Sequence, residues 1–121
     1  MLTIRAEQMQ ALDEHMERQF ARRMARSLHR FFPFRFPRAN DTAAEEFAFA
    51  CVKHAKTLGL QTEGGINRYA NVCALIGTGF EATAWGIRAG LAPREDENRE
   101  TAWLDRIVPI VEQRFRERRP A

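Results

Sequence analysis

Cys51-x-x-His54, with Cys73 further along and His29 elsewhere, is the nearest the sequence comes to a metal constellation. A zinc site needs four such ligands in close pairs, and only Cys51 and His54 are so placed. The pattern therefore predicts no metal. Both cysteines fall within apolar helical patterns and are expected to be reduced, buried and structural, with His15, His29 and His54 at helix surfaces or edges. Glu45-Glu46 and Glu95-Asp96-Glu97 supply carboxylates. Adjacent acids on a helix point about 100° apart, so neither group forms a pair facing across a cleft. They read as solvated faces or partners of helix dipoles. Gly64-Gly65 beside a helix start offers backbone N–H groups to an anion, but a flexible first turn is the simpler explanation and the reading adopted. The motifs HExxH, GxSxG, GxGxxG and the phosphate loop are absent. With no nucleophile–base pair and no ligand set, the expectation is a protein that is not an enzyme and uses no cofactor.

Chemistry of another kind is concentrated at residues 30–38, RFFPFRFPR, which hold four phenylalanines, three arginines, two prolines and no acid. Pro33 and Pro37 forbid a helix here and push Phe32 and Phe36 toward extended geometry. In an extended chain Phe34, Arg35 and Phe36 alternate, giving one aromatic side and one cationic side. Such a segment suits docking on a partner, since aromatics and arginine dominate binding energy at interfaces. The same rings would also serve to complete the core of their own bundle. The reading adopted takes Phe31 and Phe32 inward and leaves Phe34 and Phe36 available.

The cationic character extends backwards. Between Arg18 and Arg38 stand seven arginines and no acid, while the remainder of the chain holds 12 basic against 16 acidic residues. A net charge of +3 thus conceals a polarised molecule, which favours an acidic partner surface or a nucleic acid. Arginine interleaved with phenylalanine suits a single nucleic-acid strand. Four phenylalanines within six residues are too apolar for a solvated strip, however, and no RNP, KH or helix-turn-helix signature accompanies them. Nucleic acid ranks below protein as a partner.

The elements that must position these residues are helices. Met9, Leu12, Met16, Phe20, Met24, Leu28 and Phe31 recur at a mean spacing of about 3.7 residues, the helical repeat. This predicts a long first helix over about 4–32, capped by Thr3 and stopped by Pro33. Its three methionines fill core or provide an adaptable face. A second helix opens at the capping box Thr42-x-x-Glu45 and stops at Gly59, with Phe47, Ala48, Cys51, Ala55 and Leu58 inward. A third starts at Thr62, buries Ile66, Tyr69, Ala70, Cys73 and Ile76, and ends at Gly77 and Gly79. A short fourth, about 81–91, carries Trp85. After a polar connector at 92–98 a last helix turns Trp103, Ile107, Ile110, Val111 and Phe115 inward, with Pro109 kinking or splitting it. The prediction is an all-α fold, a compact bundle of about five helices in a single domain over 1–121, with residues 33–41 as an extended aromatic and proline-bearing connector.

Several blocks carry a family resemblance. MLTIRAEQMQAL at the start, FARRMARSLHRFFP at the end of the first helix, AKTLGLQTEGGINRYANVCALIGTGFE and AWGIRAGL together resemble small helical bacterial proteins encoded beside the spike, tip and effector components of type VI secretion systems. The matching positions are Phe32-Pro33, Leu58-Gly59-Leu60, Thr62-Glu63, Arg68-Tyr69, Ile76-Gly77 and Phe80, and the likeness runs over about residues 1–91. Where the family usually places an acidic, proline-bearing stretch before its Trp, this chain has only EATA before Trp85. The resemblance implies an accessory role without catalysis: an adaptor or co-chaperone that helps load an effector, or an immunity protein that blocks a cognate toxin.

Together these readings predict a cytoplasmic adaptor, with no leader peptide because Arg5, Glu7, Asp13 and Glu14 interrupt the N-terminus, and with no membrane span. Its partner would be an effector, the effector's chaperone or a toxin domain. The expected binding residues are Arg22, Arg26, Arg30, Phe34, Arg35, Phe36 and Arg38: the two rings bury, and the arginines steer and form the rim. A homodimer would hide Phe34 and Phe36 equally well.

Overall fold

The computed structural model describes the backbone over residues 6–37 and 41–118, and side chains over 14–37 and 41–117. Five α-helices follow in order, and no strand occurs among the described residues. They are α1 (Ala6–Phe31), α2 (Asp41–Thr57), α3 (Glu63–Ile76), α4 (Ala84–Arg88) and α5 (Leu104–Arg118). The chain is all-α, as the periodicity requires. No helix among the described residues is long and apolar enough to cross a membrane. The expected Thr3 cap lies outside the described residues. The chain divides into two compact units, Met1–Val52 and Lys53–Ala121, with the division inside α2.

In the first unit α1 and α2 run antiparallel: Arg18 of α1 lies over the ring of Phe49, and His29 meets Asp41. The residues of α1 that face inward are Ala21, Met24, Ala25 and Leu28, answered on α2 by Ala44 and Ala48. The stripe read from spacing is covered only in part, because Met16 is 66% exposed and Phe31 is 65% exposed. Periodicity selects a helix face, whereas cover depends on what packs against it. α2 is already helical at Asp41, so Thr42 lies inside the helix and the expected capping box is not its start.

The second unit is built by its caps. After α2 the amide of Gly59 bonds to the Lys56 carbonyl at 3.1 Å and that of Leu60 to the Ala55 carbonyl at 3.0 Å. These two bonds form a Schellman stop, and the φ of +93° at Gly59 is the left-handed geometry that the motif demands. Leu60 is then driven into the core, with no exposed surface. The Thr62 hydroxyl accepts from the Gly65 amide and starts α3; the Gly77 amide bonds back to Cys73 and ends it. A 3-10 turn (Phe80–Ala82) and the short α4, capped by Thr83, replace the single fourth helix expected at 81–91. A π-helical turn (Arg99–Trp103) leads into α5, which runs unbroken through Pro109. The core centres on Tyr69, Phe80 and Trp103, whose rings lie 5.7–6.5 Å apart. Around them Ile66, Leu91, Leu104, Ile107 and Val111 are buried, while Phe115, expected inward, is exposed. Trp103 Nε1 donates to the Leu91 carbonyl at 2.9 Å, which satisfies the one polar atom of that buried indole.

Candidate docking surface around the Phe34 turn

The first unit's surface is shaped by how α1 ends. Phe32 still donates its amide to the Leu28 carbonyl at 2.8 Å, but Pro33 follows and the helix stops. The Phe32 carbonyl then accepts from both the Arg35 amide (3.2 Å) and the Phe36 amide (2.9 Å). Residues 32–36 are therefore a tight turn, which corrects the extended reading. Pro33 sits directly after the accepting residue, where its fixed φ favours turning. In a turn, side chains two apart no longer share a face, so the alternation argument for Phe34 and Phe36 fails.

The consequences for the rings follow directly. Phe34 stands at the apex and is fully exposed, at 102% of its reference area. Phe36, expected to be available, is buried at 6%, with its ring 4.8 Å from that of Phe47 on α2. Its carbonyl also accepts from His29 Nδ1 at 2.7 Å. Phe31, expected inward, faces out, and Phe32 is half-buried. The surface pair is Phe31 with Phe34, and Phe36 is the latch that holds them there.

The arginines divide into two groups. Arg30 lies over the Phe31 ring at 5.3 Å and Arg35 over Phe47 at 5.9 Å. Arg18 covers Phe49 at 4.1 Å and Arg23 covers Phe20 at 5.5 Å. Each such contact contributes about 0.5–1 kcal/mol at exposed sites. Arg22 and Arg26 are exposed and line a groove of about 260 Å³ together with Ala25 and His29. Opposite them on α2 stand Asp41 and Glu45, so this part of the arginine face confronts acids from its own chain. Arg38 lies outside the described residues. Sequence reasoning missed His29, whose second nitrogen, Nε2, lies 3.1 Å from Asp41 Oδ1, and missed Phe47 and Phe49 as platforms. A signal was present: Phe47 and Phe49 are two apart on a helix and point in different directions, so they do not share one buried face.

The other candidates resolve into structure. Cys51 and Cys73 are buried thiols outside any disulfide, and His54 points Nε2 at Glu81 Oε1, 2.8 Å away, with its ring against Tyr69. No three His, Cys, Asp or Glu side chains gather to hold a metal among the described residues. The anion at the N-terminus of α3 is supplied by the chain itself. Glu100 Oε1 accepts from the amides of Gln61 and Thr62, and Oε2 from the Thr62 hydroxyl at 2.7 Å. A Cβ on Gly65 would meet Oε2 at 1.7 Å, so Gly65 makes room for a carboxylate and is no mere loosening of the turn. Burial opposes ionisation of Glu100, but these three donors outweigh it and lower its pKa. Glu97 of the acidic connector accepts from Arg106 Nε at 2.7 Å and Nη2 at 2.9 Å. Arg106 also donates to the carbonyls of Gly90 and Ala92, pinning the connector in place. Compared with known proteins, the chain matches no family model, no curated protein and no solved structure.

Proposed function

We propose that this chain is a non-enzymatic protein-binding adaptor that docks through Phe34 and Phe31. Arg30 and Arg35 form the cationic rim. The observation that carries this reading is a fully exposed phenylalanine at the apex of a turn held from two sides, by Phe36 on Phe47 and by His29 on the Phe36 carbonyl. A turn whose backbone is already fixed loses less freedom on binding, which is how an anchor residue gains affinity. The sequence resemblance gives the partner class: an effector of a type VI secretion system, or that effector's chaperone, met in the cytoplasm.

The test is co-purification with type VI secretion effector and spike proteins, using wild type and Phe34→Asp. Loss of capture with an unchanged circular dichroism spectrum is expected; undiminished capture would overturn the assignment of the site. Immunity is the competing role, and it is distinguished in cells. Rescue from a co-expressed toxin without any effect on secretion would select immunity, and lost secretion without rescue would select the adaptor.

A further inference from the structure

Arg22 and Arg26 differ from the other described arginines of the cationic stretch. Arg18, Arg23, Arg30 and Arg35 each lie over a phenylalanine ring. Arg22 and Arg26 have exposed side chains with no hydrogen bond, ion pair or ring contact among the described residues. They are four apart on α1, hence about 6 Å apart along one face. Across the groove Asp41 and Glu45 are also four apart, on α2. Glu45 likewise makes no ion pair among the described residues, and Asp41 is in contact only with His29. The two rows share a groove, yet no arginine in it comes within 4.0 Å of a carboxylate.

The registration of the rows matters. With Arg18 against Phe49 and the two helices antiparallel, position 22 stands level with 45, and 26 with 41. A two-fold axis running along the groove carries α1 of one copy over α2 of the other at the same height. Arg22 of each copy then comes over Glu45 of the other, and Arg26 over Asp41. Such a surface is self-complementary, as an isologous interface must be.

We propose that the groove between α1 and α2 is a homodimer interface, in which two copies exchange Arg22–Glu45 and Arg26–Asp41 pairs. This inference goes beyond the docking reading and does not depend on it. Dimerisation removes Arg22 and Arg26 from the long-range field seen by another partner and leaves Phe31, Phe34, Arg30 and Arg35 outside the paired rows.

The test is a charge swap read by sedimentation equilibrium. Arg22→Glu and Glu45→Lys are chosen because neither touches the His29–Asp41 contact. The wild type is expected to be a dimer that weakens with salt. In each single variant two like-charged pairs face each other, and dissociation is expected to rise at least about tenfold. An equimolar mixture of the two variants restores opposite charges at both positions and is expected to form a heterodimer. The double variant within one chain is expected to dimerise again for the same reason. A wild type that stays monomeric at all concentrations overturns the proposal, as does a dimer insensitive to both single swaps, or a mixture that remains monomeric. Phe34→Asp is expected to leave the dimer intact, so failure of the docking reading and failure of this one are separately visible.

Discussion

His29 Nδ1 donates to the carbonyl oxygen of Phe36 across 2.7 Å, joining the last turn of α1 to the far side of the Phe34 turn. The imidazole is only 10% exposed, and its other nitrogen faces Asp41 at the start of α2. One side chain therefore ties the end of one helix to the turn and stands against the start of the next. With Phe36 seated on Phe47, this tie explains why a segment of four phenylalanines exposes some rings and buries another. The turn fixes the direction of each ring, and the latch fixes the turn.

The division of labour between Phe34 and Phe36 predicts opposite behaviour on truncation. Phe36→Ala should lower stability by about 3–5 kcal/mol, as loss of a buried aromatic does. Phe34→Ala should change stability by no more than about 0.5 kcal/mol while abolishing partner capture. Urea unfolding of both variants checks this. Equal stability losses would show that Phe34 is a structural residue after all.

The two adjacent glycines at the start of α3 should likewise part company. Gly65→Ala sets a methyl group against Glu100 Oε2 and the Thr62 hydroxyl, and should cost about 1–3 kcal/mol by disrupting a cap made of charged hydrogen bonds. Gly64 has nothing within 4 Å of an added Cβ, so Gly64→Ala should be neutral or stabilising by up to about 1 kcal/mol. Thermal melts of the two variants, recorded side by side, should move in different directions or by clearly different amounts.

Acid should weaken the protein through Glu97. The Arg106 N–H groups, aided by the Arg94 amide and opposed by burial, hold its pKa at about 2 against an ordinary 4.5. The unfolded chain takes up this proton near 4.5 and the folded one only near 2, so the contribution is complete above about pH 4.5. It is lost as the pH falls from there toward 2. Glu97→Gln should therefore flatten the acid limb of a stability-against-pH curve in that window while leaving its slope between pH 6 and 8 unchanged, as followed by denaturant titration at stepped pH. A wild-type curve already flat between pH 4.5 and 2 would refute the assignment.

Much of the second unit was legible because its boundaries are written in local chemistry. Thr62 caps, Gly59 turns and Gly77 closes, each through a bond within a few residues of itself. Glu100 was invisible for the opposite reason: it reaches Gln61 and Thr62 across 38 or more positions, and no spacing rule connects them. The fourth helix was read too long because Thr83 interrupts it with a new cap, which splits a 3-10 turn from α4. At the candidate surface, the identity of the segment was plain and its geometry was not. Proline restricts φ but permits both an extended chain and a turn, and the choice fell to the Phe32 carbonyl, which accepts two amides.

By itself the sequence determined that the chain is helical, where its second and third helices stop, and that arginine and phenylalanine gather at the end of the first one. These properties depend on periodicity and on capping bonds between near neighbours, which any compact arrangement preserves. Only the tertiary structure decided which rings face out, which arginines lie on rings and which stay unengaged opposite Asp41 and Glu45. Exposure and pairing are properties of what packs against a residue, and those neighbours come from α2, whose register against α1 no local pattern encodes.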